Sequence, residues 1–167
     1  MYTWQIRFAA NVLRQGGIIA YPTEAVWGLG CDPENADAVV RLLELKQRSM
    51  DKGLILVAAG LDQVEPYLRG LSVGQQRQLK RSWPGFKTWI IPGSEAAPVW
   101  IKGDHKGVAL RVSAHPLVQQ LSRAFGGPLV STSANLAGHP AARNRLQVAR
   151  YFEGDLDYVL NGATGGA

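Results

Sequence analysis

Apolar positions recur along the chain first at helical spacing and then in short unbroken runs, and the two patterns alternate. Ile6, Ala9, Ala10 and Leu13 fall on one helical face that stops at Gly16-Gly17, as glycine readily adopts the conformation that ends a helix. "GIIAY" (17–21) follows as a short strand, and then comes the polar, glycine-rich stretch "YPTEAVWGLGCDP" (21–33), which reads as a turn. Asn35 is placed to cap a second helix, on which Ala38, Val39, Leu42 and Leu43 form one stripe while Arg41, Glu44 and Arg48 face elsewhere. "GLILVAA" (53–59) reads as a buried strand. Farther on, the pattern predicts a helix around "SVGQQRQLKRSW" (72–83), strands at "KTWII" (87–91) and "VALRV" (108–112), and a helix opened by His115-Pro116. The strand "PLVS" (128–131), a helix near "NRLQVARYF" (144–152) and a last strand at "DYVL" (157–160) complete the series. Alternation with short connections predicts a single α/β domain over residues 1–167, with no linker or internal repeat.

Composition narrows the class. A hydrophobic fraction of 46% with 19% charged residues fits a soluble globular protein. No apolar stretch approaches the roughly 20 residues of a membrane-spanning helix, and "MYTWQIRFAANVLRQGG" lacks the apolar block of a signal peptide, so a cytoplasmic location is expected. Cys31 is the only cysteine, which excludes an internal disulfide and a multi-cysteine zinc site. His105, His115 and His139 share no paired metal-ligand spacing, and no protein-bound metal is expected. Trp83, Trp89 and Trp100 read as packing residues, while Trp27 is singled out by its place in the glycine-rich stretch. The formal net charge of +5 favours an anionic partner, either a nucleotide or RNA.

The polar motifs fall where the apolar runs end. Thr23 follows one strand, Arg111 closes another, and Ser131, Ser133 and Asn135 follow a third. In open α/β sheets ligands gather beyond the carboxyl ends of strands, so these loops can build one site, although each alone is also an ordinary turn. Lys46, Arg48 and Lys52 lie within seven residues at a helix end. Cations there complement the helix dipole, and they also suit a triphosphate, for which Arg offers bidentate bonds and Lys a compact charge. There is no "GxxxxGK[ST]" loop, and "GLG" (28–30) lacks the third glycine of a dinucleotide fingerprint, so a nucleotide would be held in another way.

Taken together, "YPTEAVWGLGCDP", "LKQRSMDKGLILVAA", "VALRVSAHPLV" and "PLVSTSANLAGHP" resemble the YrdC/TsaC family of threonylcarbamoyl-AMP synthases, in its short bacterial form. The block "KxR…SxN", here Lys46, Arg48, Ser133 and Asn135, is specific in combination with "YPTEAVWGLG". The resemblance implies a twisted mixed sheet with flanking helices around a deep basic cleft. It implies an enzyme that joins L-threonine, bicarbonate or CO2, and ATP into threonylcarbamoyl-AMP and pyrophosphate, with Mg2+ bound through the ATP phosphates. It assigns Lys46 and Arg48 to catalysis, and Lys46, Arg48, Lys52, Ser133, Asn135 and Arg143 to ATP. Thr23, Arg111 and Ser131 go to threonine, with Arg111 suited to a carboxylate clamp as well as to a structural ion pair. Glu24 is read as a residue that could orient its neighbours. The partners implied are tRNA and, transiently, the transferase complex that modifies it next to the anticodon.

Three departures from the family pattern stand out: Ser49 replaces the usual proline after the "KxR" arginine, Phe86 and Lys87 alter a "WPGPxT" loop, and "TGGA" stands where a serine-containing "PS" segment is expected to follow. Two other readings accompany the enzyme. One is a non-catalytic module that binds tRNA or double-stranded RNA through surface cations such as Lys80, Arg81, Lys102 and Lys106. The other is a carbamoyl-adenylate site for a different substrate, as in hydrogenase maturation proteins.

Overall fold

A computed structural model describes residues 3–93 and 95–166. Thr3 caps α1 (Trp4–Arg14) by accepting a bond from the Ile6 N–H, and the chain then forms a hairpin of β1 (Ile19–Pro22) and β2 (Trp27–Gly30). Asn35 accepts from the Ala38 N–H and opens α2 (Ala36–Lys46), as its position predicts; Gln47, in the left-handed region at φ 53°, ends it. A 3-10 turn (Met50–Lys52) leads into β3 (Ile55–Ala58), α3 (Leu61–Leu68), α4 (Val73–Ser82) and β4 (Trp89–Pro92). The chain continues through α5 (Val99–Lys102), β5 (Gly107–Val112), α6 (Pro116–Phe125), β6 (Leu129–Ser133), α7 (Arg145–Phe152) and β7 (Tyr158–Val159).

The seven strands form one mixed sheet in the order β4-β5-β3-β6-β2-β1-β7. β3 runs parallel to β5 and β1 parallel to β7; the other pairings are antiparallel. β6 joins the two halves. Its first three residues pair with β3, Ser131 opposite Ile55, and its last two pair with β2, Ser133 opposite Gly28.

Alternation along the strands sends side chains to two faces, both covered. Ile19, Tyr21, Val57 and Leu129 pack beneath α1 and α6 through Ile6, Leu13, Val118 and Leu121. Ala20, Leu29, Leu56, Leu110 and Val130 face α2 and α7 through Val39, Leu42, Val148 and Phe152. Burying such side chains contributes about 1.5–3 kcal/mol each relative to exposure, which drives the layers together.

The glycine-rich stretch is not the turn that its composition suggests. Only residues 23–26 turn, and Trp27–Gly30 is a strand with all four residues buried. A side chain at Gly30 would place its Cβ 2.7 Å from Tyr21 Cε1 and from the Val130 carbonyl oxygen, so only glycine lets β1, β2 and β6 close at this point. Two short helices, α3 with its internal Pro66 and the four-residue α5, also go unread in the apolar pattern.

Candidate functional site

Residues 23–28, the segment after α2, β5 and the second half of β6 surround a cavity of about 310 Å3. Thr23, Gly28, Arg48, Arg111, Ser131 and Ser133 line it, with the buried Trp27 in its wall. The three predicted loops therefore do meet at one place. The chain is tied at each point. Thr23 Oγ1 donates to the Val26 carbonyl at 2.8 Å and its backbone N–H to the same oxygen at 3.1 Å, which closes the 23–26 turn. The Trp27 N–H donates to the Ala142 carbonyl and the Trp27 carbonyl accepts from Ala134 N–H, so β2 is laced to the loop that follows β6.

Arg111 projects from β5 with Nη2 3.9 Å from Glu24 Oε2. Glu24 Oε1 accepts from the Ser113 hydroxyl at 2.6 Å and from the Ala114 N–H at 3.1 Å. Glu24 Oε2 and Arg111 Nε have no hydrogen-bond partner among the described residues, so the pair is held by charge with donor capacity left over on the guanidinium. Burial alone would raise the Glu24 pKa, but the Ser113 bond, the Arg111 charge and the backbone N–H groups outweigh it and hold the carboxyl below its ordinary value. Arg48 enters from the opposite side, its Nη2 donating to the Gly53 carbonyl at 3.1 Å.

Arg48, Gly53, Leu54 and Ile55 also bound a second cavity of about 370 Å3. Ile55, Ile90, Ile101 and Ala109 give it an apolar lining, Ile90 from the exposed side, and Lys52, Lys102, His105 and Lys106 line it as well. Two adjoining chambers with an arginine common to both can hold a ligand with an anionic centre and dissimilar ends. Of the deep basic cleft that the resemblance implies, the cations seen are Arg48 and Arg111 in the lining of the first cavity and Arg48, Lys52, Lys102 and Lys106 in that of the second.

Comparison with known proteins gives this geometry a context. The Sua5/YciO/YrdC family profile, described as "Telomere recombination", matches residues 11–167. A protein of Cellvibrio japonicus named threonylcarbamoyl-AMP synthase is 56% identical over 161 residues, 96% of this chain and 85% of that one. Its namesake in Pseudomonas aeruginosa is 54% identical over 164 residues, 98% of this chain and 88% of that one. The chain belongs to the Sua5/YciO/YrdC family. The crystal structure of P. abyssi Sua5 complexed with L-threonine superposes with a TM-score of 0.90 at 35% identity, covering 96% of this chain. The chain spans 47% of that longer protein.

Within this Sua5/YciO/YrdC domain the residues assigned by motif fall into three groups. Thr23, Arg48, Arg111, Ser131 and Ser133 line the first cavity, and Lys52 lines the second. Lys46 and Asn135 line neither of these two cavities, and they are joined to the lining residue Ser133 by hydrogen bonds. Lys46 is only 4% exposed, and its Nζ donates to the Ser133 carbonyl, to the Asn135 carbonyl at 2.9 Å and to Asn135 Oδ1 at 3.1 Å. Ser133 Oγ donates to Asn135 Oδ1 at 2.7 Å, and Asn135 Nδ2 to the His139 carbonyl at 2.7 Å. Burial, aided by Arg48, pushes the Lys46 pKa down to about 8. The third group is Arg143, which is exposed just before α7, where its backbone N–H donates to Gln147 Oε1.

Sequence reasoning missed the second chamber, because Ile55, Ile90, Ile101 and Ala109 look like any core residues until the sheet order brings them together. It took Lys102 and Lys106 as general surface cations, whereas they line that chamber. Ser113, the hydroxyl that holds Glu24, carried no signal beyond its place two residues after Arg111.

Proposed function

We propose that this chain is a threonylcarbamoyl-AMP synthase, a nucleotidyltransferase that uses L-threonine, CO2 or bicarbonate, and ATP. The observation that carries the reading is the meeting of Arg111, Arg48 and the two β6 serines around one cavity that shares Arg48 with a second one lined by Lys52, Lys102 and Lys106. The names of the relatives support the enzyme; they give no support to a non-catalytic RNA-binding module.

In this reading the threonine carboxylate lies on Arg111, whose unpaired donor capacity suits it. The threonine amine captures CO2 as a carbamate and loses a proton. A carbamate oxygen then attacks the α-phosphorus of ATP, a P–O bond forms, and pyrophosphate leaves with the electrons of the α,β-bridging bond. Arg48 stands where that charge moves, and Lys52 and the other cations of the second chamber receive the outer phosphates. Such transfers rest mainly on positioning and charge neutralisation. Lys46 serves the reaction through the loop of Ser133 and Asn135. Mg2+ would arrive on the ATP phosphates, and Arg48, Lys52, Lys102 and Lys106, with no carboxylate among the described lining residues of either cavity, would meet the nucleotide's charge beside it. The product, a labile mixed anhydride, would pass to a transferase that modifies tRNA through a transient contact.

The test is pyrophosphate release from radiolabelled ATP. Release that requires threonine and bicarbonate together is the expected result; release without threonine, or none, refutes the reading. Arg111→Ala should raise the threonine KM on the order of 100-fold, as removal of a charged hydrogen-bonding partner commonly does, with the ATP KM nearly unchanged.

A further inference from the structure

After β7 the chain runs along β1 toward the 23–26 turn without regular secondary structure, and Asn161, Gly162, Ala163 and Gly165 are exposed. Exposed coil opens easily unless specific bonds hold it. Here the Leu160 N–H donates to the Ala20 carbonyl at 2.8 Å, the Asn161 N–H to Gln5 Oε1 at 3.1 Å and the Gly165 N–H to the Thr23 carbonyl at 3.0 Å. The last bond brings the segment against the turn. A Cβ at Gly165 would lie 3.2 Å from the Glu24 carbonyl oxygen and 3.3 Å from Glu24 Cα, closer than side-chain carbons ordinarily approach.

The remaining tie comes from a side chain. His115 is buried at the position that caps α6, yet its imidazole makes no capping bond. Its Nε2 lies 3.0 Å from the Ala163 carbonyl oxygen, and because a carbonyl only accepts, Nε2 carries the proton and donates it. Nδ1 is buried with no partner among the described residues, so the ring is committed to the 160–165 segment. The His115 backbone N–H donates to Ser113 Oγ at 3.0 Å, the hydroxyl that itself donates to Glu24 Oε1. One residue thus fastens two supports of the turn: the loop that holds the Glu24 carboxylate and the segment that holds the Thr23 carbonyl. We propose that His115 is a positioning residue for the substrate amino acid: through the 160–165 segment it fixes the turn of Thr23 and Glu24, and with Glu24 the ion pair that orients Arg111. It acts at a distance, since it lines neither cavity. The proposal rests on the reading of the first cavity as the amino-acid site.

His115→Ala removes the bond to Ala163, and His115→Gln restores a donor of similar reach. Amide hydrogen exchange, followed by NMR, reads the segment directly at Gly165, with Leu160 and Val130 as references in the sheet. One lost hydrogen bond is worth up to about 10-fold in an equilibrium. Exchange at Gly165 should therefore quicken by about 10-fold in His115→Ala and stay unchanged at Leu160 and Val130. The threonine KM should rise by about 5-fold with the ATP KM unchanged, and His115→Gln should restore both readings. Gly165→Ala presses the segment off the turn from the other side and should raise the threonine KM by a similar factor of about 5, whether or not His115→Ala folds. Unchanged exchange at Gly165, equal quickening at Leu160 and Val130, an unchanged threonine KM in Gly165→Ala, or no rescue by His115→Gln overturns the inference. If wild type binds threonine in calorimetry but releases no pyrophosphate, the catalytic reading fails alone, and the threonine affinities of the variants replace the KM values. If wild type binds no threonine, the amino-acid reading fails, and the positioning role with it, even where exchange at Gly165 shows that His115 holds the segment.

Discussion

Glu24 is ionised inside the protein because the Ser113 hydroxyl, Arg111 and the backbone N–H groups hold it so. Since its folded pKa lies below the ordinary 4.5, its charge contributes stability that is present above pH 4.5 and is lost as pH falls through the lower folded value. Glu24→Gln keeps a side chain able to meet Ser113 but removes the counter-charge of Arg111. The gap in stability between wild type and this variant should be widest near pH 7 and shrink below about pH 4.5, as read by urea unfolding across pH. The threonine KM should rise by about 10-fold with kcat little changed, because the guanidinium loses the charge that orients it. Lys46 carries the opposite sign. Its pKa near 8 in the folded chain, against 10.5 ordinarily, means that between those values the unfolded chain binds a proton that the folded one does not. Its contribution to stability therefore rises from about pH 8 to 10.5, and Lys46→Met should lack that slope. Residue types at this scale were legible in the sequence: Thr23, Arg48, Arg111, Ser131 and Ser133 do share a cavity. Side-chain direction was not, and Lys46 shows why, since nothing in "LKQR" says that its ammonium turns inward to two carbonyls of the β6 loop.

Among the elements, β2 has the most to teach. Strands are read from β-branched and aromatic residues, and "WGLG" offers one aromatic and two glycines, so the apolar pattern fails where the packing is tightest. The two glycines differ in what surrounds them, and substitution separates them. Gly30→Ala drives a methyl into Tyr21 and the Val130 carbonyl, and it should destabilise the fold by at least the roughly 1–3 kcal/mol of an overpacked core. Gly28→Ala, with its contacts at ordinary distances, should leave the urea midpoint nearly unchanged. Similar losses of midpoint in both would refute the distinction. The helices α1, α2, α6 and α7 were legible from apolar positions that the fold buries, with Asn35 capping α2 and Pro116 opening α6, while α4 buries only Leu79 and is held at its start by the Ser72–Gln75 capping box. α3 and α5 are too short to show a period, and tertiary packing decides them.

At the scale of the whole molecule the sequence predicts an α/β fold and an anionic partner, but not the strand order, because pairing between distant segments leaves no local trace. The net charge of +5 suggests a prediction of its own. If tRNA docks on this chain through its cations, affinity should fall steeply between about 50 and 200 mM salt, as counterion release requires. Lys52→Ala, at the second chamber, should raise the ATP KM far more than it weakens RNA, since one cation among 18 is a small part of a general field. A salt-independent affinity, measured by filter binding, would point to base recognition instead.

The position of β6 between β3 and β2 bears on how the protein is made. Before Leu129–Ser133 has left the ribosome, the emerged chain can hold a β1–β2 hairpin and a β4-β5-β3 sheet, but no strand pairing joins the two among the described residues. The first cavity, lined by Gly28 of β2 and by Ser131 and Ser133 of β6, is complete only when β6 pairs with β2, whose residues lie about a hundred positions upstream. A nascent chain halted just short of that strand would carry most of the helices and most of the motif residues, and still have nowhere to put a substrate.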